Sequence, residues 1–240
     1  MQIKKFFTAF TLIILSQILI GQSFINGSEV LKNELDSLQK KELLVQSIGL
    51  NRLGEWIIIF GDRGYTFMNM PADVKSALKD INTAEQAIVD IDFMPDGSWS
   101  IIYGYNEQTG DIADKDISEF LKSAHQKEKT LNTFVSMPDS GAVILYDTNS
   151  YFKKNAPKQA SYKLKSLQDR KQAIKHFAVN KDRAWVILYA QKGMSWENIP
   201  DDLASELKSL YSTAQSIDKV FFLADKWVVI YDTYKYKSNL

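Results

Sequence analysis

Four acidic residues follow one another closely near the middle of the chain: Glu107, Asp111, Asp114 and Asp116. Two carboxyl groups beside a sugar ring are the usual machinery of glycoside hydrolysis, one as the acid and one as the base or nucleophile. Several carboxylates could also hold Ca²⁺, but the spacing differs from the known calcium loop and the glycine of that loop is missing. Asp114 or Asp116 also suits the N-cap of the helical pattern that follows. The helix cap is the simpler interpretation, and glycoside hydrolysis is the alternative.

A second acidic group, Asp90, Asp92 and Asp96, looks like a fragment of a calcium motif. Asp90 and Asp92 alternate with Ile91 and Phe93, and side chains alternate between the two faces of a strand. We therefore predict that both aspartates lie on the outward face of a strand and bind no metal.

The chain has two histidines, His125 and His176, and no cysteine. Neither histidine has a Ser, a Cys or a second His at the spacing of a zinc site or a catalytic triad. His125 is predicted to end a helix, and His176 is predicted to lie on a strand. The sequence therefore predicts no catalytic residue, no metal site and no cofactor.

The most regular feature of the chain is a column of residues about 43 positions apart, which is Trp in four of its five copies. An aromatic residue follows four positions after each member. The two sets are Trp56, Trp99, Ala142, Trp185 and Trp227, and Phe60, Tyr103, Tyr146, Tyr189 and Tyr231. Aromatic faces can stack on sugars or on partner side chains, but they also dominate packed cores. Both interpretations stay open for the four Trp and the four Tyr: core contacts, or a ligand-binding surface.

Self-similarity at this spacing is typical of a repeat architecture. In each copy, an apolar stretch, a turn and a second stretch from the Trp position predict two strands, and a weaker aromatic stretch predicts a third. Helical patterns follow, and Pro71, Pro157 and Pro200 suit the first turn of three of them. The fold class is therefore an α+β repeat protein of five strand–strand–(strand)–helix units. No polar residue recurs in a column that would line a pocket.

The fifth unit is divided between the two ends of the chain. Its strands are predicted at 217–239, and the helix that completes it, with Leu31, Leu35 and Leu38 on one face, at 28–40. We expect a closed five-fold α/β ring, because complementary halves can join the ends and closure removes exposed sheet edges. The alternative is an open curved antiparallel sheet with helices on one face. In unit number and length the ring resembles the pentein family of five-fold α/β propellers, whose enzymes use a Cys nucleophile that this chain lacks.

Residues 1–21 have the pattern of a secretory signal peptide: Lys4 and Lys5, a mostly apolar run, and the small residue Gly21. The run is shorter than the about 20 apolar residues that span a bilayer. We predict cleavage, a secreted or periplasmic location, a single repeat domain at 22–240 and no transmembrane segment after cleavage. Losing Lys4 and Lys5 makes the net charge of zero slightly negative, which argues against a nucleic-acid partner.

The sequence favours an exported, non-enzymatic repeat scaffold or binding module, because repeats commonly present binding surfaces rather than reaction centres. Its partner would be a protein or a glycan that the sequence does not identify. The alternative is a secreted, glycosidase-like hydrolase with its site in the acidic loop of the second unit.

Overall fold

The computed structural model describes residues 27–240. The predicted signal peptide at 1–21 and the predicted start of the domain at residue 22 lie outside the described residues. Within residues 27–240, no helix combines the length and the apolar character that crossing a membrane requires.

Strands and helices alternate along the described chain in the order that the repeat predicts. The helices are α1 (27–40), α2 (Ala72–Thr83), α3 (Lys115–Gln126), α4 (Lys158–Asp169) and α5 (Asp201–Ser212). The first strands of the units are β1 (Val45–Leu50), β4 (Ile88–Phe93), β7 (Leu131–Met137), β10 (Ile174–Val179) and β13 (Ile217–Leu223). The middle strands are β2 (Trp56–Phe60), β5 (Trp99–Tyr103), β8 (Gly141–Tyr146), β11 (Trp185–Tyr189) and β14 (Lys226–Tyr231). The third strands are β3 (Gly64–Phe67), β6 (Glu107–Gly110), β9 (Ser150–Lys154), β12 (Gly193–Glu197) and β15 (Lys235–Ser238).

The strands form five separate three-stranded sheets, each made of consecutive strands of one unit. All pairings are antiparallel, and the middle strand lies between the first and the third. The predicted repeat of strands and helices is therefore confirmed, and the weaker aromatic stretch is a third strand in every unit.

Proline determines where three of the helices begin. Pro71, Pro157 and Pro200 occupy the N-cap positions of α2, α4 and α5 in extended backbone conformations. The fixed φ of Pro fits a helix start, and its missing N–H is not needed there. Helix α3 has no such proline, and its N-cap is Asp114, whose side chain accepts a hydrogen bond from the Ile117 backbone N–H at 3.1 Å.

Each sheet is covered by apolar side chains on both faces. In the first sheet, Trp56 and Ile58 of β2 pack with α1, whereas Ile57 and Ile59 pack with α2. Burying an aliphatic side chain of this size stabilises the fold by about 1.5–3 kcal/mol. Because side chains alternate between the two faces of the middle strand, each sheet packs against two helices.

The helix α1 joins the two ends of the described chain. Its cluster contains Ile48 of the first sheet together with Val228 and Ile230 of the last sheet. On the outer side of this cluster, the Tyr236 hydroxyl of β15 donates a hydrogen bond to Asp36 Oδ1 of α1 at 2.6 Å. The first helix therefore packs against the last sheet as well as the first, as the division of the fifth unit predicts.

Every first strand carries a bulge at the same place. The register with the middle strand shifts by one residue between Val45 and Ser47, and again at the equivalent positions of the other four sheets. A bulge inserts one extra residue, bends the strand and redirects side chains near it. Five equivalent bulges direct five equivalent side chains in the same way relative to their sheets.

Candidate ligand-binding site

A cavity of about 240 Å³ lies among the first strands of all five units. Residues of β1, β4, β7, β10 and β13 all contribute to its wall, as do residues of the turns that follow β4, β7, β10 and β13. The middle and third strands contribute no residue to it. The cavity therefore lies where the five repeats converge.

The residues just after the bulges form a polar column, and four of its five members line this cavity. One member comes from each unit, and the members are spaced by 43 positions: Ser47, Asp90, Thr133, His176 and Lys219. The first four line the cavity and are almost completely buried. The expectation that no polar residue recurs in a pocket-lining column is therefore wrong. The prediction that Asp90 faces outward is also wrong, since this carboxylate is 7% exposed.

One side of the column is fully hydrogen-bonded. The Ser47 hydroxyl donates to Asp90 Oδ1 at 2.5 Å, and the Phe134 backbone N–H donates to Asp90 Oδ2 at 2.7 Å. Each bond connects one first strand to the first strand of the next unit. Burial raises the pKa of Asp90, whereas the Lys219 ammonium, Ser47 and Phe134 oppose that rise. On this side, the column holds neighbouring sheets together.

One ring nitrogen of His176 makes a hydrogen bond, and the other has no hydrogen-bond partner among the described residues. Its Nε2 lies 2.7 Å from the Val220 carbonyl oxygen of the next first strand. A carbonyl only accepts, so Nε2 carries the proton and Nδ1 is a bare acceptor. Nδ1 is buried and has no hydrogen-bond partner among the described residues. Burial lowers the pKa of His176 to about 3, and the Lys219 ammonium acts in the same direction, so the ring is neutral at pH 7.

Lys219 and Thr133 are the other members without a side-chain partner. Lys219 is half-buried, and its ammonium makes no ion pair or hydrogen bond with any residue in 27–240. Burial lowers its pKa, and the carboxylates of Asp90 and Asp218 partly offset this change. The Thr133 hydroxyl, on a residue 3% exposed, likewise makes no hydrogen bond within the described chain. Buried polar groups normally find partners, and of the side-chain atoms of this column in residues 27–240 it is His176 Nδ1 that is both buried and without one.

A second layer of side chains lies two positions further along the first strands. Its members on the cavity wall are Asp92, Val135, Ala178 and Phe221. Asp92 accepts hydrogen bonds from the backbone N–H groups of Ser136 and Phe93, so both its oxygens are engaged. Burial nevertheless raises its pKa to about 7. Apart from Asp92, this layer is apolar.

The acidic loop of the second unit has a structural role. Glu107 belongs to β6 and lies 3.6 Å from the His125 ring, and Asp114 is the N-cap of α3. Lys154 of the next sheet donates to Asp114 and, at 2.6 Å, to Asp116. The hydrogen bond from Lys154 lowers the pKa of Asp114, whereas a general acid needs a raised one. Residues 27–240 contain no cluster of His, Asp and Glu that could hold a metal ion.

Replacing Asp114 with Ala should destabilise the protein by about 0.5–2 kcal/mol, the usual cost of removing an N-cap. The residue also anchors Lys154, so the effect should lie in the upper part of this range. Chemical denaturation measures it. Asp111→Ala is the matched control, because Asp111 is exposed and is expected to change stability by less than about 0.5 kcal/mol. An unchanged free energy of unfolding for Asp114→Ala would contradict the capping role.

The four Trp of the aromatic column lie in the apolar clusters between sheets and helices. Trp56, Trp99, Trp185 and Trp227 are between 1% and 7% exposed, and each indole N–H donates a hydrogen bond. Tyr103, Tyr146, Tyr189 and Tyr231 end the middle strands and are half-buried. None of the eight contributes to the central cavity. Their ligand-binding role stays a prediction, and their placement favours core packing.

No protein-family model matches this chain, and no curated protein matches it. Among solved structures, selenomethionine-substituted virginiamycin B lyase from Staphylococcus aureus is similar over 84% of this chain and 71% of that chain. The sequence identity is 9% and the TM-score is 0.31. Similarity at this level is too low to support a conclusion about the fold or the activity of this chain.

Proposed function

We propose that this protein is a non-enzymatic binding module that holds a small polar molecule in its central cavity. The observation that carries the proposal is the unequal hydrogen bonding of the polar column. Ser47 and Asp90 are hydrogen-bonded to each other, whereas Nδ1 of His176, which is buried on the cavity wall, has no hydrogen-bond partner among the described residues. Polar groups that converge in a cavity with a partly apolar wall are typical of ligand sites.

The architecture that supports this site is, in our proposal, a closed five-fold α/β ring with the cavity on its axis. Two observations favour the ring over an open curved sheet. All five first strands line one cavity, and α1 packs between the first and the last sheet. A closed ring would hold the five polar residues at fixed distances from one another, which preorganises them for a ligand.

The hydrolase alternative has less support from the described residues. Asp114 and Asp116 are engaged with Lys154, and Glu107 faces His125. A retaining or inverting glycosidase needs two carboxyl groups free to face the sugar. We therefore place the functional site at the central cavity.

Export remains part of the proposal. The basic start and the apolar run of residues 1–21 support a signal peptide, and we infer a secreted or periplasmic location from them. A protein or glycan partner on the outer surface also remains a prediction, for which the four Trp and four Tyr are the candidate residues.

The binding proposal predicts stabilisation by small molecules that enter the cavity. A ligand at one hundred times its dissociation constant stabilises the folded state by about 2.7 kcal/mol. We expect at least one compound in a screen of small polar metabolites to raise the melting temperature, and that gain should increase with its concentration.

A variant that fills the cavity separates binding there from binding elsewhere. Ala178→Met places extra side-chain atoms at the cavity wall and should abolish the gain, even if overpacking costs about 1–3 kcal/mol of stability. Ala204→Met on α5 is the matched control, away from the cavity, and should keep the gain. The proposal is overturned if the compound still raises the melting temperature of Ala178→Met. It is also overturned if no compound raises the melting temperature of the parent protein.

A further inference from the structure

We propose that the central cavity binds a small primary alkylamine as its ammonium ion, with an N–H of the ligand donating to Nδ1 of His176 and the carboxylates of Asp90 and Asp92 supplying the opposite charge. This inference rests on the proposed function, because it names the class of ligand for the same cavity. It follows from the acceptors, the charges and the apolar residues of the cavity wall.

His176 determines that the ligand must donate a hydrogen bond. Its Nε2 donates to the Val220 carbonyl, so Nδ1 can only accept. The residue is 4% exposed and lines the cavity, and Nδ1 has no partner among the described residues. A buried acceptor without a donor is costly. A ligand N–H or O–H would satisfy it, whereas a carboxylate or a quaternary ammonium ion has no such donor.

Two carboxylates on the wall favour a cation over a neutral ligand. Asp90 and Asp92 both line the cavity, and neither forms an ion pair with a residue in 27–240. Lys219 opposes the charge of Asp90, but it forms no ion pair with it and does not line the cavity. Buried charges are costly unless they are paired. A ligand ammonium would bring the missing positive charge together with the donor that His176 requires.

The other polar side chains of the wall do not favour an anion. The Ser47 hydroxyl already donates to Asp90, and the Ser136 hydroxyl donates to the Phe93 carbonyl at 3.0 Å. Among the described wall residues, the cation is Lys181, which is exposed on the turn after β10. Solvent screens a charge in that position. The buried part of the wall therefore offers acceptors and negative charge.

The apolar part of the wall suits the alkyl body of an amine. Val135, Ala178 and Phe221 of the second layer lie on the same wall as the acceptors. An alkylammonium ion is polar at one end and apolar at the other, so it can contact both kinds of surface. A metal ion is a poorer match, because residues 27–240 contain no group of three His, Asp or Glu side chains that could hold one.

Isothermal titration calorimetry of the full chain at pH 7 with three related compounds tests charge and donor separately. Isobutylamine is an ammonium ion at this pH, as a Lys side chain is. Isobutanol has the same carbon skeleton and a donor but no charge, and isobutyltrimethylammonium has the charge but no N–H. We expect isobutylamine to bind, and each of the other two to bind more weakly by about tenfold or more.

Asp90→Asn tests the role of the charge. The amide can still accept from the Phe134 N–H and can donate to the Ser47 hydroxyl, so the contacts between sheets are kept. The variant should weaken isobutylamine binding by about tenfold or more and leave isobutanol binding unchanged. Asp80→Asn is the matched control, because Asp80 is exposed on α2 and does not line the cavity. It should bind isobutylamine as the parent protein does.

His176→Phe tests the donor contact. The variant keeps a ring of similar size and removes Nδ1. It also loses the hydrogen bond to Val220, so the informative readout is the ratio of two affinities rather than either one. The preference for isobutylamine over isobutyltrimethylammonium should fall toward one. A preference as large as that of the parent protein would show that the ligand does not donate to His176, and would overturn this part of the proposal.

The failures of the two proposals are distinguishable. If isobutanol binds as tightly as isobutylamine, the site accepts any donor and the ammonium proposal is overturned, while the binding proposal stands. If isobutylamine does not bind but another compound stabilises the parent protein and not Ala178→Met, the ligand class is wrong and the cavity is still the site. If no compound binds, the column serves only to connect the sheets, and both proposals fail.

Discussion

Replacing Leu31 and Leu35 together with Ala should remove most of the stability of the protein and should loosen its last sheet as much as its first. Both side chains lie in the cluster that contains Ile48 of the first sheet and Val228 of the last, and they are 0% and 1% exposed. Each Leu→Ala change in a core costs about 2–5 kcal/mol. Their sum is comparable to the total stability of a typical domain, about 5–15 kcal/mol.

Amide hydrogen exchange distinguishes the closed ring from an open stack in this variant. In a ring, protection should fall around Val228 and Ile230 of β14 and also around Ile58 of β2. In an open stack, units contact mainly their sequence neighbours, and the loss should stay near β1 and β2 while β14 keeps its protection. Val30→Ala is the control on the same helix, because Val30 is 45% exposed and should change stability by less than about 0.5 kcal/mol.

The second large effect concerns the aromatic column. Trp56→Ala should destabilise the protein by about 3–5 kcal/mol, the range for truncating a large aromatic side chain in a core. Trp56 is 1% exposed and packs between α1 and the first sheet. Its indole N–H also donates to the Gly27 carbonyl at 3.1 Å, and the variant would leave that carbonyl without its donor. Urea denaturation followed by circular dichroism measures the loss.

Tyr105→Ala is the control for Trp56→Ala, because Tyr105 is an aromatic residue that is 62% exposed. Its replacement should cost less than about 0.5 kcal/mol. A loss below about 1 kcal/mol for Trp56→Ala would mean that the indole contributes little to the core. That result would favour the ligand-binding interpretation of the four Trp and four Tyr.

Local patterns predict most of the elements because they are set by short-range chemistry. Alternation of apolar residues defines the strands, and the prolines at positions 71, 157 and 200 define helix starts through their fixed backbone geometry. Asp114, one of the two residues that the sequence suggests as the N-cap of α3, does occupy that position. Even the contact of α1 with the last sheet follows from sequence, since the helix occupies the place in the repeat that the fifth unit lacks.

The polar column shows what a local pattern misses and which signal could have found it. In the first strand, the core residues Val45 and Ile48 are three positions apart, and the same step occurs at Ile88 and Ile91. A step of three breaks the two-residue period of a strand and is the mark of a bulge. The position just before the second core residue is polar in every unit, but its residue type changes each time, which hides the repetition.

The sequence by itself determined the repeat, the strands and helices, and the complementary ends, because each depends on the chain's own spacing of apolar and helix-starting residues. Only the tertiary structure decided what the polar residues face. Ser47 and Lys219 are 172 positions apart, and no local periodicity relates the direction of one side chain to that of the other. The bulges and the convergence of five first strands place Ser47, Asp90, Thr133 and His176 beside one cavity. Asp90 is consequently buried next to Ser47, and the charge of Lys219 opposes the rise of its pKa. The alternation of residues in its own strand instead predicts a solvent-facing side chain.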